Sequence, residues 1–301
     1  MTKKNHSYLP YILLFIQPAF MATNSIIAKG GVIHVPPISL AFYRWFFVFL
    51  ILLPFVVNSI LENRNYLIKE SKQLFFLGFM GCGICGAFPF LAGLTTTVTN
   101  IGIIYTSSPI FIILISSIFF KEKIFRLQIV GLALCLLGVF LIIMKGKISL
   151  LLSLKFTTGD LWVLGAAIGW ALYAIFLFRW KSRFSFFARF CLIAFMGSVS
   201  LLPFMIVENV LFRSINFDKY FYFWTLFAAF SPGIIAYTIH QKVQRSLGAS
   251  TTGFILYLFA IYGAFYGIIF FNERLEFYHY SGALLVFLGV FFAKKKNFKS
   301  L

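Results

Sequence analysis

Residues Ile118 to Lys123 read IFFKEK, and Ile269 to Arg274 read IFFNER, an offset of 151 positions from 118 to 269. At the same offset Gly131, Gly138, Val139 and Phe140 fall on Gly282, Gly289, Val290 and Phe291. Residues 97 to 147 are thus repeated, weakly but in register, at 248 to 298. A looser echo sets LLPF from Leu52 against LLPF from Leu201, at 149 positions, which implies a two-residue insertion between the paired segments. The chain reads as two copies of one membrane-embedded unit. Repeats of this kind line central substrate sites in secondary transporters, so duplication points to transport.

Composition supports the membrane part of that reading. Hydrophobic residues make up 61% of the 301 positions, charged residues only 11%, and the mean hydropathy is +0.93. An ordinary soluble domain carries about 25% charged residues. The 42 Phe reflect composition at large, so aromatic position carries more information here than aromatic number. Ten apolar stretches approach the ~20 residues that cross ~30 Å of hydrocarbon: 8 to 28, 38 to 57, 74 to 94, 100 to 120, 127 to 144, 160 to 178, 186 to 207, 221 to 240, 252 to 271 and 278 to 293. The expected fold is all-α and integral to the membrane, with ten transmembrane helices. Five spans per half turn the second copy over relative to the first, giving two inverted five-helix repeats over 1–147 and 156–296.

The net charge of +18 raises nucleic acid as a partner, but its distribution follows the membrane rule instead. Eighteen of the 26 Lys and Arg lie on the segments that share a side with the N-terminus, seven lie on the opposite side, and Arg44 lies within a span. Both termini are therefore expected in the cytoplasm, in a multi-pass protein of the bacterial inner membrane. Seven residues precede the first full-length apolar span, which reads as an uncleaved helix. Cys82, Cys85, Cys135 and Cys191 all fall inside spans and suit packing, with no disulfide framework.

Several motifs resemble those of the EamA type of drug/metabolite transporter. They are ATNSIIAK at Ala22 to Lys29, PPISLAFYRW at Pro36 to Trp45, and Phe119 to Glu122 followed by the Gly-rich stretch Gly131 to Gly138. In the second half they are GWALYA at Gly169 to Ala174, LGAS at Leu247 to Ser250 and NER at Asn272 to Arg274. The resemblance covers essentially the whole chain. It implies a five-plus-five inverted-repeat carrier whose cavity is lined chiefly by helices 1, 3, 4, 6, 8 and 9. Family members export or exchange amino acids, nucleotide-like metabolites and other small solutes. Met21 and Ala22 stand where many relatives have Trp-Gly, and Ala260 stands opposite the Pro109 of the first copy.

Polar groups within hydrocarbon are costly and tend to face a cavity or a partner. Gln17 and Asn24 lie seven apart on the first span and are able to present amides to one cavity or to bond a neighbouring helix. Arg44 suits a structural partner or a role in attracting anions. Tyr237 and Gln241 share a face at i, i+4, with His240 beside them as the best titratable candidate. Trp170 and Tyr173 sit at i, i+3, where they can stack on a planar solute or simply pack. Pro89, Pro109 and Pro232-Gly233 break the third, fourth and eighth spans, which membranes tolerate beside protein or a wet cavity. Gly165 with Gly169, and Gly263 with Gly267, read as close-packing seams.

All eight carboxylates lie in loops or at span ends, so no mid-membrane proton relay is expected. Glu122 and Glu273 read as paired helix-end residues in salt bridges with their basic neighbours. The four His, at 6, 34, 240 and 279, are scattered without ligand spacing, so neither a metal site nor a cofactor is expected. The reading is a secondary transporter and not an enzyme. It exports or exchanges an amino acid or a related neutral, zwitterionic or anionic solute by alternating access. Its expected partners are that solute and membrane lipid, not nucleic acid, and it is expected as a monomer or homodimer. A non-transporting scaffold subunit and a membrane-embedded lipid enzyme are the alternatives.

Overall fold

The protein is described here from a computed structural model, which covers residues 8–121, 125–146, 157–240, 242–243, 246 and 255–294. Every regular element among these residues is helical. Eight helices are long and apolar enough to cross a membrane. They are α1 (Leu9–His34), α2 (Pro37–Glu62), α3 (Arg64–Gly93), α4 (Val98–Phe120), α5 (Arg126–Ile143), α6 (Thr158–Arg179), α7 (Phe186–Leu211) and α8 (Lys219–His240). Two shorter apolar helices follow, α9 (Ile255–Phe271) and α10 (Phe277–Lys294). Large apolar side chains such as Phe55, Phe119 and Phe265 stand exposed on the outer faces, the arrangement of helices solvated by lipid.

Local sequence explains where these helices deviate. α1, α3 and α8 each contain a π-helical stretch, at Ile27–Gly31, Phe79–Ile84 and Ala229–Ile235. Each stretch contains glycine, and the last contains Pro232, which cannot donate to the helical ladder. α4 is broken at Thr106-Ser107 into Val98–Tyr105 and Ser108–Phe120, with Pro109 in the first turn of the second piece, where a missing N–H costs nothing. α3 begins at Arg64 rather than near residue 74. Its first turns are polar and amphipathic, so hydropathy alone reads them as a loop.

Packing rests on close approach at glycines. A Cβ on Gly138 would stand 2.7 Å from the Gly282 carbonyl oxygen, and one on Gly289 would stand 2.6 Å from that of Gly131, so α5 and α10 meet backbone to backbone. At Gly93 a Cβ would run into the backbone of Ala28. The GxxxG pairs behave as seams: Gly165 and Gly169 receive Phe88 and Ile84, and Gly263 lies against Gly102.

Polar ties at helix ends fasten the bundle. Glu208 near the end of α7 accepts from Ile38 N (2.9 Å), Ser39 N (2.7 Å) and Ser39 Oγ (2.7 Å), capping the start of α2. Glu273 does the same for α4, accepting from Val98 N, Thr99 N and Thr99 Oγ1 at 2.6, 3.0 and 2.7 Å. The expected Glu273 salt bridge is thereby corrected. An acidic group near a helix N-terminus meets unsatisfied donors and a favourable dipole. Glu122 lies outside the described residues. Asp160 does occupy a span end, yet it is fully buried, accepting from Thr96 Oγ1 and from Asn100 Nδ2 (3.1 Å).

Candidate functional site

Two cavities adjoin: an inner one between the halves of the sequence and a second walled by the second half alone. The inner one is small, about 40 Å³, and its wall includes Asn24, Arg44, Cys85, Tyr105, Pro232 and Phe259. The other is a chamber of about 420 Å³, bounded by Tyr173, Leu177, Phe186, Arg189, Phe190 and His240. Trp170 and Tyr237 belong to both walls and form the partition. α6, α7 and α8 supply the chamber, while the inner cavity draws on seven helices.

Helix breaking positions the inner wall. Around Pro232 the π-helical backbone of α8 leaves a carbonyl pointing inward, and Arg44 Nη2 donates to Pro232 O at 3.3 Å. Arg44 Nη1 donates to Asn24 Oδ1 at 2.7 Å, tying α2 to α1. The guanidinium lies 4.4 Å from the Trp45 ring centroid and 6.0 Å from that of Phe90, so its charge faces aromatic π-clouds on one side. Gly86 leaves room for the Trp45 indole, whose Nε1 would stand 2.6 Å from an added Cβ.

The partition is an aromatic cluster. Tyr237 stacks on Phe190 with centroids 4.9 Å apart, and it meets Trp45 and Trp170 edge-on at 6.1 and 6.4 Å. Trp170 also contacts Tyr173 at 5.4 Å and Tyr105 at 6.3 Å. Offset and edge-to-face pairs of this kind are rigid, apolar and polarisable, a surface suited to a ligand with an apolar body.

Of the residues singled out in the sequence, Asn24, Trp170, Tyr173, Tyr237 and His240 line these cavities. Gln17 does not. It is buried between helices, with Nε2 donating to Ala236 O at 3.4 Å, the interhelical role that was the alternative for it. Gln241 lies outside the described residues. Sequence reasoning passed over Trp45, Tyr105, Arg189 and Phe190, because single aromatic or basic residues on an apolar helix give no sign of which neighbour they meet. Arg44 carried the detectable signal, a charge inside an apolar span.

Comparison with known proteins agrees with this architecture. The model of the EamA-like transporter family matches residues 9–144 and again 157–294. A protein of Archaeoglobus fulgidus named an uncharacterized transporter is 23% identical over 290 residues, covering 95% of this chain and 98% of the relative. An Escherichia coli protein named a probable amino-acid metabolite efflux pump is 22% identical over 295 residues, covering 93% of each chain. Its namesake in Salmonella typhimurium is 22% identical over 280 residues, covering 89% of each. The fold and the matches define a multi-pass membrane transporter rather than an enzyme. The chain belongs to the EamA-like transporter family.

Proposed function

We propose that the protein is a secondary carrier of ten spans, built as two inverted five-helix repeats over 1–147 and 156–296, with both termini in the cytoplasm. It exports or exchanges an amino acid or related small metabolite by alternating access. The observation that carries this reading is the pair of adjoining cavities, the inner one walled by both halves and the chamber by the second, with Trp170 and Tyr237 on the walls of both. A scaffold has no need of a lined path interrupted by a partition.

The inverted arrangement draws support from the α5–α10 seam. Under the 151-residue offset Gly131 corresponds to Gly282 and Gly138 to Gly289. The contact of Gly131 with Gly289 then maps onto that of Gly282 with Gly138, as two-fold-related copies require. Residue numbers rise along α5 as they fall along α10, so the paired helices run in opposite directions. The names of the Escherichia coli and Salmonella typhimurium relatives favour an amino-acid metabolite as solute and efflux as direction.

Purified protein in proteoliposomes preloaded with amino acids tests the proposal. Time-dependent efflux above protein-free vesicles is expected, and it is lost when Trp170 and Tyr237 are both replaced by Ala. Efflux indistinguishable from empty vesicles for every solute tried, with the protein correctly inserted, returns the chain to the scaffold reading.

A further inference from the structure

Arg44 is 4% exposed, about two turns into α2, and no described carboxylate is bonded to it. Guanidinium offers five N–H donors in a planar fork. The described bonds of Arg44 go to two neutral oxygens, Asn24 Oδ1 and Pro232 O, while buried Nε has no partner. A buried cation is expensive unless an anion pairs with it. The described carboxylates that make side-chain bonds are committed at helix ends: Glu70 to Ser182 and Arg183, Asp160 to Thr96 and Asn100, Glu208 to α2, Glu273 to α4 and Asp218 to Tyr220. Glu62 and Glu276 are exposed. None of these seven is among the bonded partners of Arg44.

The position of this arginine is informative. Arg44 lines the inner cavity, whose about 40 Å³ suits a head group of a few atoms, or one or two waters. Past Trp170 and Tyr237 the chamber of about 420 Å³ has room for the body of a small molecule against aromatic walls. A second arginine stands on that chamber. Arg189 donates to the Leu177 and Trp180 carbonyls at 3.3 and 2.8 Å, and its buried Nε is likewise without a partner. The path from chamber to inner cavity thus carries two arginines whose bonds go to neutral oxygens. The Glu70 carboxylate partly offsets Arg189 at the outer end, and no described carboxylate is bonded to Arg44 at the inner end, so the field at the inner end draws anions and repels cations.

We infer that Arg44 is the anchor for a carboxylate on the transported solute, which seats in the inner cavity while its apolar body occupies the chamber. The inference rests on the carrier reading and narrows its solute class. A planar carboxylate matches the guanidinium fork through two parallel N–H···O bonds, and the buried Nε–H, which has no partner, supplies one of them once the carboxylate seats against it. Asn24 positions the fork by holding Nη1.

The test uses the full-length chain in proteoliposomes loaded with three equimolar pools. These are apolar amino acids, their N-acetyl derivatives, and trimethylalkylammonium ions of matching size that carry no carboxylate. Efflux of each pool is followed by mass spectrometry. Both carboxylate pools are expected to leave at least tenfold faster than the cations, and Arg44→Gln is expected to lower that efflux at least tenfold, with Arg44→Lys retaining part of it. Asn24→Asp is nearly isosteric and places a competing carboxylate on Arg44. It is expected to abolish carboxylate efflux while leaving the folded yield intact, which covers the case in which Arg44→Gln does not insert. Cation efflux equal to or faster than carboxylate efflux, or undiminished carboxylate efflux in Asn24→Asp, overturns the inference and leaves the carrier standing. No efflux from any pool overturns both.

Discussion

Replacing Glu208 tests whether carboxylate caps between helices hold this bundle together. Three donors converge on the side chain, from Ile38 N, Ser39 N and Ser39 Oγ, all within 2.9 Å, and Asn209 Nδ2 donates in turn to Ser39 Oγ at 2.9 Å. Glu208 is 6% exposed and Ser39 fully buried, so water has little access to the donors that alanine would strand. At about 1 kcal/mol for each stranded donor, the low end of the usual range, Glu208→Ala loses about 3 kcal/mol. Losing a negative charge at the α2 N-terminus adds about 0.3–1 kcal/mol. Glu208→Gln keeps an acceptor oxygen but turns an N–H toward one donor, so about half the loss is expected. Ser39→Ala removes two bonds, the one to Glu208 and the one from Asn209, and should cost about 1–2 kcal/mol, with a coupling energy of about 1 kcal/mol in the double-mutant cycle against Glu208→Ala. Unfolding in mixed micelles by titration with SDS measures all four variants. A Glu208→Ala protein within about 0.5 kcal/mol of the parent refutes the reasoning, because the cap would then be replaceable by lipid head groups or water.

Four further outcomes follow from the same geometry. Reporter fusions after residues 65 and 301 should both report the cytoplasm, and a periplasmic signal at either overturns the orientation drawn from the basic residues. Gly138→Leu drives a branched side chain into the Gly282 carbonyl, where overpacking costs about 1–3 kcal/mol or more. Folded yield by size-exclusion chromatography should fall sharply, and an unchanged yield would show that the α5–α10 seam is slack. His240→Gln and Trp170→Ala each remove a chamber wall residue and should reduce amino-acid efflux severalfold at matched insertion, whereas parental rates in both would remove the chamber from the pathway. Asp160→Ala strands Thr96 Oγ1 and Asn100 Nδ2 in a buried setting, so SDS titration should show a loss of about 2 kcal/mol or more, with Asp160→Asn intermediate and equality of the two variants counting against the assigned bonds.

Much of the architecture was legible because it depends on patterns that survive weak similarity. Span-length apolar runs have no soluble counterpart, and the IFFKEK and IFFNER echo ties two distant segments through six letters each. The proline breaks mark α4 and α8 for the same reason, a missing N–H, whereas the break expected at Pro89 is not found, as Pro89 stands inside the helical segment Cys85–Gly93. The π-helical stretches of α1 and α3 were not legible, as glycine permits such a stretch without requiring it. Nor were the caps: that Glu208 serves α2 and Glu273 serves α4 depends on which helix ends adjoin, a tertiary fact with no local spacing. Asp160 shows the same limit, since a span-end position says nothing about burial. At the site, Asn24, Tyr237 and His240 stood out as polar groups in apolar runs, while Phe190 and Tyr105 are ordinary letters in a chain so rich in aromatics.

The distribution of ties along the molecule bears on how a path through it would open. The Glu208, Glu273 and Asp160 bonds gather where α2, α4 and α6 begin, and they are joined there by Arg213, which donates to the Val32 and Ile33 carbonyls at 2.8 and 2.6 Å, and by Lys29, which donates to Thr96 O at 3.0 Å. The chamber lies toward the opposite ends, beside Arg189 and His240, where Glu70 with Ser182 and Arg183 is the comparable tie between sequence halves among the described residues. The charge-assisted bonds are therefore concentrated at one end, beside a further cavity of about 480 Å³ lined by Ile38, Trp162, Phe204 and Glu208, and are sparser at the chamber end. A carrier that alternates must release part of the tied end and close the chamber end. Trp170 and Tyr237, edge-on at 6.4 Å on the walls of both cavities, stand on that path, so under the proposed carrier reading a solute that reaches Arg44 from the chamber passes these two rings.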